Sequence, residues 1–211
     1  MKTDDLIANL AAEAGKRQSP VRGRLLFGLT VGGLVSLTGF LLAMGVRPDL
    51  EDALVTWRFD LKLAILVIAL VLAADDCLRH SAPLPAQAIS NRHLFVLALI
   101  AGGISVDLAS TPAEAWPSLA IGQNALVCLT AIPVLAVAPF VSVMQAMRSG
   151  APASPAAAGA AVGRLAAVLA ALFYGLHCTD DSPLFVATWY TLAVALMMGT
   201  GAIAGRFVLR W

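Results

Sequence analysis

The chain has 211 residues, of which 59% are hydrophobic and 13% are charged, and its formal net charge is +1. A soluble domain usually carries about a quarter charged residues, so this composition argues against a water-soluble protein. A net charge so close to zero gives no support for nucleic-acid binding either, and we expect no direct contact with nucleic acid.

The first 24 residues form a polar N-terminal segment with one apolar face. Asp4 and Asp5 suit the first turn of a helix, where the helix dipole favours acidic side chains. Leu6, Ile7 and Leu10 then recur at helical spacing. Two interpretations remain open at this point. The segment is either an unstructured or membrane-surface tail, or a short helix that folds when its apolar face docks in the groove of a partner.

Six apolar blocks follow, and each is long enough to cross a membrane once its flanks are included. The second has an uninterrupted apolar run only over 63–74, and we extend it by letting Lys62 reach along the helix to the interface. Pro133 and Pro139 predict a kink in the fourth. The expected fold class is all-α, a polytopic membrane protein whose six-helix transmembrane domain covers residues 25–208. The predicted spans are 25–46, 59–78, 94–109, 124–144, 156–177 and 183–206.

The distribution of basic residues predicts the orientation of these spans. With a cytoplasmic N-terminus, 11 of the 14 Lys and Arg residues lie on the cytoplasmic side, and Arg47, Arg58 and Lys62 lie outside. Cytoplasmic loops of membrane proteins carry such an excess. We therefore predict a multi-pass protein of the bacterial inner membrane with both termini in the cytoplasm.

Motifs for catalysis and for transport are missing from the sequence. It contains no H-E-x-x-H, no G-x-S-x-G and no P-loop. The acidic residues of the apolar region fall at predicted helix ends, and we interpret Arg164 as an interfacial side chain. Neither an enzyme nor a bound cofactor is expected. Three G-x-x-x-G spacings mark either close helix contacts or chance in a glycine-rich chain, and they are Gly28/Gly32, Gly159/Gly163 and Gly201/Gly205.

Two of the three cysteines are predicted at similar depth near the outer surface. Cys128 lies in the first turn or so of the fourth span, and Cys178 directly follows the fifth, whereas Cys77 lies at the cytoplasmic end of the second. If the fourth and fifth spans are adjacent, Cys128 and Cys178 approach the roughly 7 Å between Cα atoms that a disulfide needs. His177 beside Cys178 would suit a soft metal ion. Three interpretations stay open: small buried side chains, a disulfide or thiol sensor, and a metal site.

Four segments resemble the NrsF-type membrane anti-sigma factors of proteobacteria, which hold an extracytoplasmic-function sigma factor inactive. The most specific is HCTDDSPLFVATWY at 177–190, and the others are MKTDDLI at 1–7, PVR at 20–22 and RSGAP at 148–152. Six spans and a cytoplasmic N-terminus fit the same family, so the resemblance extends over the whole chain.

The resemblance implies a function and a partner. The N-terminal segment would contact the sigma factor through Asp4, Asp5, Leu6, Ile7 and Leu10. The thiol pair formed by Cys128 and Cys178 would respond to metal or oxidative stress. Membrane lipid would surround the spans, and homo-oligomerisation is left open. The competing hypotheses are a small transporter or permease for a metal or thiol compound, a membrane thiol oxidoreductase, and a structural subunit that docks a cytosolic enzyme.

Overall fold

The computed structural model describes residues 21–83 and 91–210, and all regular structure within these ranges is helical. The all-α prediction is therefore confirmed. The predicted docking residues Asp4, Asp5, Leu6, Ile7 and Leu10 lie outside the described ranges. The long helices are α1 (Val21–Ala43), α2 (Trp57–His80), α3 (Asn91–Ser110), α4 (Ala125–Met147), α5 (Pro155–Gly175) and α6 (Pro183–Val208). Shorter helices, Leu50–Ala53 and Trp116–Ile121, lie in two of the loops.

Five helices among the described residues are long and apolar enough to cross a membrane, namely α1, α3, α4, α5 and α6. Each predicted span overlaps one of the long helices. The remaining long helix, α2, has 24 residues but is less apolar, because it carries charges near both ends. These are Arg58, Asp60 and Lys62 at the start and Asp75, Asp76 and Arg79 at the finish. The count of six spans therefore stays a prediction.

Successive helices run in opposite directions, so the bundle has two ends. We call the end that contains Cys178 and the first residues of α2, α4 and α6 the thiol end. The other end, where Val21 joins the N-terminal segment to α1, is called the tail end. The helix α5 lies at the centre of the bundle and packs against α1, α2, α4 and α6. Several of its small side chains are completely buried, among them Ala166, Ala167, Ala170 and Ala171.

Two of the three G-x-x-x-G spacings form the contact between α5 and α6. Gly159 and Gly163 of α5 lie directly against the backbone of α6 at Gly201 and Met197. A methyl group on Gly201 would lie 3.0 Å from the carbonyl carbon of Gly159 and 3.2 Å from the Cα atom of Gly163. Glycine at these positions therefore allows a backbone-to-backbone approach that a side chain would prevent.

The third spacing, Gly28 and Gly32, brings α1 against α4. A methyl group on Gly28 would lie 2.8 Å from the carbonyl oxygen of Ser142. Both predicted kink-forming prolines, Pro133 and Pro139, lie inside α4. In α6, one wide turn of π-helix over Val186–Tyr190 interrupts the α-helix, and such turns are frequent at functional sites.

Candidate functional site

The loop that joins α5 to α6 carries most of the polar residues of the HCTDDSPLFVATWY segment. We call residues 176–182 the thiol loop. It begins where α5 ends at Gly175 and finishes at Ser182, which caps α6 by accepting a hydrogen bond from the Leu184 amide at 3.3 Å. Its side chains contact different helices, and these contacts define the site.

Asp181 anchors the thiol loop to α2 through a buried ion pair. Its carboxylate accepts hydrogen bonds from Lys62 Nζ and, at 2.8 Å, from Arg47 Nη1. Lys62 Nζ also donates to the main-chain carbonyl of Cys178 at 3.0 Å. The Lys62 side chain is completely buried. The prediction that Lys62 extends to the interface is therefore wrong, because Asp181 enters the bundle to meet it.

Arg47 is the second cation at the thiol loop, and it pairs with two carboxylates. Its guanidinium donates to both oxygens of Asp49, at 2.8 and 2.7 Å, as well as to Asp181. The hydrogen bond to Asp49 raises the pKa of Arg47, and the same bond lowers the pKa of Asp49 to about 2. The Arg47 amide donates to the Leu176 carbonyl at 3.0 Å. Two cations and two carboxylates thus balance each other around the loop.

Asp180 anchors the thiol loop to the N-terminus of α4. Its carboxylate accepts hydrogen bonds from the Gln123 amide at 3.0 Å, the Asn124 amide at 2.8 Å and Asn124 Nδ2 at 2.9 Å. The free amides and the dipole at a helix N-terminus favour a negative charge. Cys128 lies one turn further along α4, so this contact fixes the loop beside that cysteine.

The remaining polar side chains of the loop reach α1 and α3. His177 Nδ1 lies 3.0 Å from the carbonyl oxygen of Gly45, just beyond α1. Ser182 Oγ donates to Asp107 of α3 at 2.9 Å, and Asp107, which is completely buried, also pairs with Arg58 at 2.6 Å. The thiol loop therefore connects α5 to α6 and contacts the ends of the other four long helices.

Cys128 of α4 and Cys178 of the thiol loop lie in one buried cluster. Both are free thiols, and their exposed fractions are 0% and 1%. As predicted, α4 packs against α5, and this places the two cysteines in the same apolar core. Burial raises the pKa of Cys178. Since the thiolate is the reactive form, a buried and protonated thiol reacts slowly. The resting conformation thus protects both thiols.

Both tyrosines of the chain, Tyr174 and Tyr190, line this cluster, and neither was predicted as a site residue. Their ring centroids are 6.0 Å apart. Each hydroxyl is buried beside the Cys178 thiol. The sequence offered a signal for Tyr190 alone, because it is the last residue of the segment with the most specific family resemblance.

The predicted metal ligands His177 and Cys178 are adjacent in the thiol loop. Over residues 21–83 and 91–210, no group of three or more His, Cys, Asp or Glu side chains is placed to hold a metal ion. His177 Nδ1 is occupied by the Gly45 carbonyl. A metal site at these two residues therefore remains a prediction.

A second charged cluster lies at the tail end. Arg164 of α5 pairs with Asp76 of α2 and contacts His93 of α3, whose Nε2 is 2.8 Å from an Asp76 oxygen. The Arg164 side chain is 21% exposed. The interpretation of Arg164 as an interfacial side chain stays a prediction, and the structure adds that Asp76 pairs with it between the helices.

The helix α2 physically connects the thiol loop to the tail end. Near its start, Lys62 contacts the thiol loop. Just beyond its last residue, the carbonyl of Ser81 accepts a hydrogen bond from the Ala151 amide at 3.0 Å. Val21 and Gly150 line the same groove as Ser81. A displacement of α2 would therefore reach the point where the N-terminal segment joins α1.

The comparisons with known proteins agree over nearly the whole chain. Residues 10–211 match the NrsF family, described as negative regulator of sigma F. The anti-sigma-F factor NrsF of Caulobacter vibrioides (strain NA1000 / CB15N) is 34% identical over 217 residues, which cover 100% of each chain. The probable anti-sigma-F factor NrsF of Azospira oryzae (strain ATCC BAA-33 / DSM 13638 / PS) has the same identity and coverage. No solved structure matches.

Proposed function

The chain belongs to the NrsF family of negative regulators of sigma F, and from this premise we propose that it is a membrane anti-sigma factor that sequesters an extracytoplasmic-function sigma factor. The family assignment confirms the resemblance noted in the sequence and makes the protein a regulator rather than an enzyme. Its relatives are named for action on sigma F, and we extend that partner class to this chain.

We place the tail end in the cytoplasm and the thiol end outside, with six spans. The excess of Lys and Arg near the tail end supports this orientation. The helix α2 completes the count of six spans. Its 24 residues extend about 36 Å at ~1.5 Å per residue, enough for a hydrocarbon core of ~30 Å. Asp181 and Arg164 neutralise its Lys62 and Asp76, so its charges are compensated inside the bundle.

The sigma factor would bind the cytoplasmic N-terminal segment. Leu6, Ile7 and Leu10 would fill an apolar groove on the sigma factor, while Asp4 and Asp5 would face a basic surface of it. Such a short helix is marginal in water and would fold on binding.

Substitution of aspartate for Leu6, Ile7 and Leu10 together is expected to weaken sigma-factor binding by more than about a hundredfold. Each buried apolar side chain contributes roughly 1.5–3 kcal/mol, and a charge in its place is costly to bury. The measurement is recovery of a sigma factor, identified by mass spectrometry, with the detergent-solubilised full-length protein.

A matched control adds the same three carboxylates on the opposite face of the predicted helix, at Ala8, Asn9 and Ala12, and it should bind normally. Equal recovery with both triple variants would contradict the docking site. If the unmodified protein recovers no sigma factor, the proposed function fails and a transporter would be tested next by flux in vesicles.

Release of the sigma factor would begin at the thiol pair, Cys128 and Cys178. The observation that carries this proposal is that Cys128 is buried beneath the thiol loop and Cys178 is buried within it, while the loop contacts the ends of α1, α2, α3 and α4. A reagent reaches the thiols when the loop opens, and reaction then removes Cys178 from its resting contacts and disfavours the resting state. With a peroxide as the oxidant, the two thiols lose two protons and two electrons to form a disulfide, and the peroxide O–O bond is reduced to two hydroxyl groups.

Metal capture at the same thiols would have the same consequence, since it also removes Cys178 from its resting contacts. The change would pass along α2 from Lys62 to Ser81 and so to the start of α1. A coupling free energy of about 1–3 kcal/mol between the two ends would give a graded response.

Replacement of both Cys128 and Cys178 by alanine is expected to abolish stress induction of the target genes while repression is kept. Alanine keeps the buried positions small and apolar, so only the thiol chemistry is removed. The measurement is a reporter for a sigma-dependent promoter, with and without a peroxide or a soft metal ion. Cys77→Ala is the matched control, because Cys77 is equally buried but lies at the tail end. Normal induction in the double variant would rule out the thiol pair as the sensor.

A further inference from the structure

An apolar cavity of about 300 Å³ separates part of α3 from α5 and α6. The helix α3 packs against α2 and against the first turn of α6. Near the thiol end, Gly103 lets α3 approach α2 closely, since a methyl group there would clash with the Leu61 side chain. Towards the tail end, the cavity opens between His93 and Leu97 on one side and Val194 on the other.

The size and lining of the cavity suit an aliphatic ligand. Its volume is at the lower limit of small-molecule pockets, which span about 300–1,000 Å³. Its walls are almost entirely apolar and include Ile65, Leu72, Val96, Leu97, Val168 and Val194. Water does not fill an apolar cavity of this kind. Within a bilayer, the apolar material next to it is the acyl chain of a lipid.

The tail end of the cavity carries positive charge. Arg164 and His93 line it there, and His93 Nδ1 is buried without a hydrogen-bond partner among the residues described. Asp76 lies beside them, since its carboxylate pairs with Arg164 and is 2.8 Å from His93 Nε2. The guanidinium of Arg164 and the unpartnered Nδ1 of His93 are the donors at this end, and an anionic acceptor is complementary to them.

We propose that the cavity binds one acyl chain of an anionic phospholipid from the leaflet at the tail end, with the phosphate beside Arg164 and His93. The Arg164 side chain suits this position because side chains on a helix lean towards its N-terminus, which for α5 is the tail end. Tyr190 closes the far end of the cavity, and its ring packs 6.0 Å from that of Tyr174 in the core that holds Cys128 and Cys178. A bound chain thus contacts the core of the thiol pair.

Photo-crosslinking in vesicles tests the acyl-chain site, and it depends on membrane insertion but not on sigma-factor binding. The full-length protein is reconstituted with a phosphatidylglycerol that carries a diazirine on one acyl chain. Phenylalanine at Ala69 or at Ala195, on opposite walls of the cavity, should reduce cross-linking at Val96 and Val194 by about fivefold or more, because the ring occupies the volume of the chain. Ala64→Phe is the matched control on the exposed side of α2 and should leave it unchanged.

The head group is tested with a phosphatidylcholine probe that carries the same chains. We expect about a fivefold preference for phosphatidylglycerol, the factor that corresponds to the ~1 kcal/mol gained per basic residue at an anionic surface. The preference should survive Arg164→Lys and disappear in Arg164→Gln. Cross-linking that is uniform over the lipid-facing helices, or that persists in folded Ala69→Phe and Ala195→Phe variants, would overturn the site. Equal labelling by both probes would overturn the anionic head group.

Discussion

Replacing Asp181 by leucine is expected to lower the free energy of unfolding by about 3–5 kcal/mol, the usual cost of removing one partner from a buried ion pair. The change leaves the ammonium of Lys62 completely buried with the Cys178 carbonyl as its remaining acceptor. It also removes one of the two carboxylates that pair with Arg47. The measurement is reversible unfolding of the detergent-solubilised protein.

Removing the other partner, in Lys62→Met, should lower the free energy of unfolding by less than Asp181→Leu does. Asp181 would still pair with Arg47 at 2.8 Å, so no carboxylate is left without a counter-charge. The double variant should be more stable than Asp181→Leu alone, since removal of Lys62 takes away the stranded charge. Asp60→Leu serves as a control on the exposed surface of α2 and should change stability by less than about 1 kcal/mol. Equal costs for Asp181→Leu and Asp60→Leu would contradict the buried pair.

The Asp181→Leu variant should also react faster at its thiols. Asp181 anchors the thiol loop through Lys62 and Arg47, so its loss favours the open loop. If opening limits access, the alkylation rate of Cys178 rises by the same factor as the open population, about tenfold for each 1.4 kcal/mol. In the Cys77→Ala background, maleimide labelling followed by mass spectrometry measures the rate. An unchanged rate in Asp181→Leu would show that the loop contacts do not control access to the thiols.

The helices were predictable because their signal is local. A block such as Pro155–Gly175 is apolar and rich in small residues throughout, and its boundaries follow from the turn before it and the polar residues after it. The depth of Cys128 and Cys178 followed from the same boundaries, and adjacency of α4 and α5 followed from their short connection. The structure places both cysteines in one core, as this argument required.

Two charges pair with partners that are distant in sequence. Lys62 meets a carboxylate 119 residues away, and Arg164 meets one 88 residues away. Considered alone, each side chain is best placed at the interface, where water solvates it. Only the packed bundle supplies a counter-ion, so the sequence does not show either pair, and for Lys62 it favours the wrong environment. The wide turn at Val186–Tyr190 and the capping of α4 by Asp180 depend on the same long-range packing.

The contact between α5 and α6 gives the second large effect, and Gly201→Leu is expected to prevent the two helices from packing. Even the first side-chain carbon would lie 3.0 Å from the carbonyl carbon of Gly159 and 3.2 Å from the Cα atom of Gly163. These neighbours are backbone atoms of the central helix, so they cannot move aside as a flexible side chain would. We expect the free energy of unfolding to fall by about 3 kcal/mol or more, at the upper end of overpacking costs.

Gly199 provides the matched control for this prediction on the same helix. A methyl group on Gly199 meets no atom within 4 Å, so Gly199→Leu adds an exposed side chain to α6 without a clash. Replacing glycine within a helix also favours the helix by up to about 1 kcal/mol, so this variant should be as stable as the unmodified protein or slightly more stable. Both variants are compared by unfolding in mixed detergent and by elution as a single species. In the proposed mechanism, opening of the loop between α5 and α6 releases the sigma factor, so Gly201→Leu should also lose repression of the target genes. If Gly201→Leu matched Gly199→Leu in stability and repression, the close approach of α5 and α6 would be disproved.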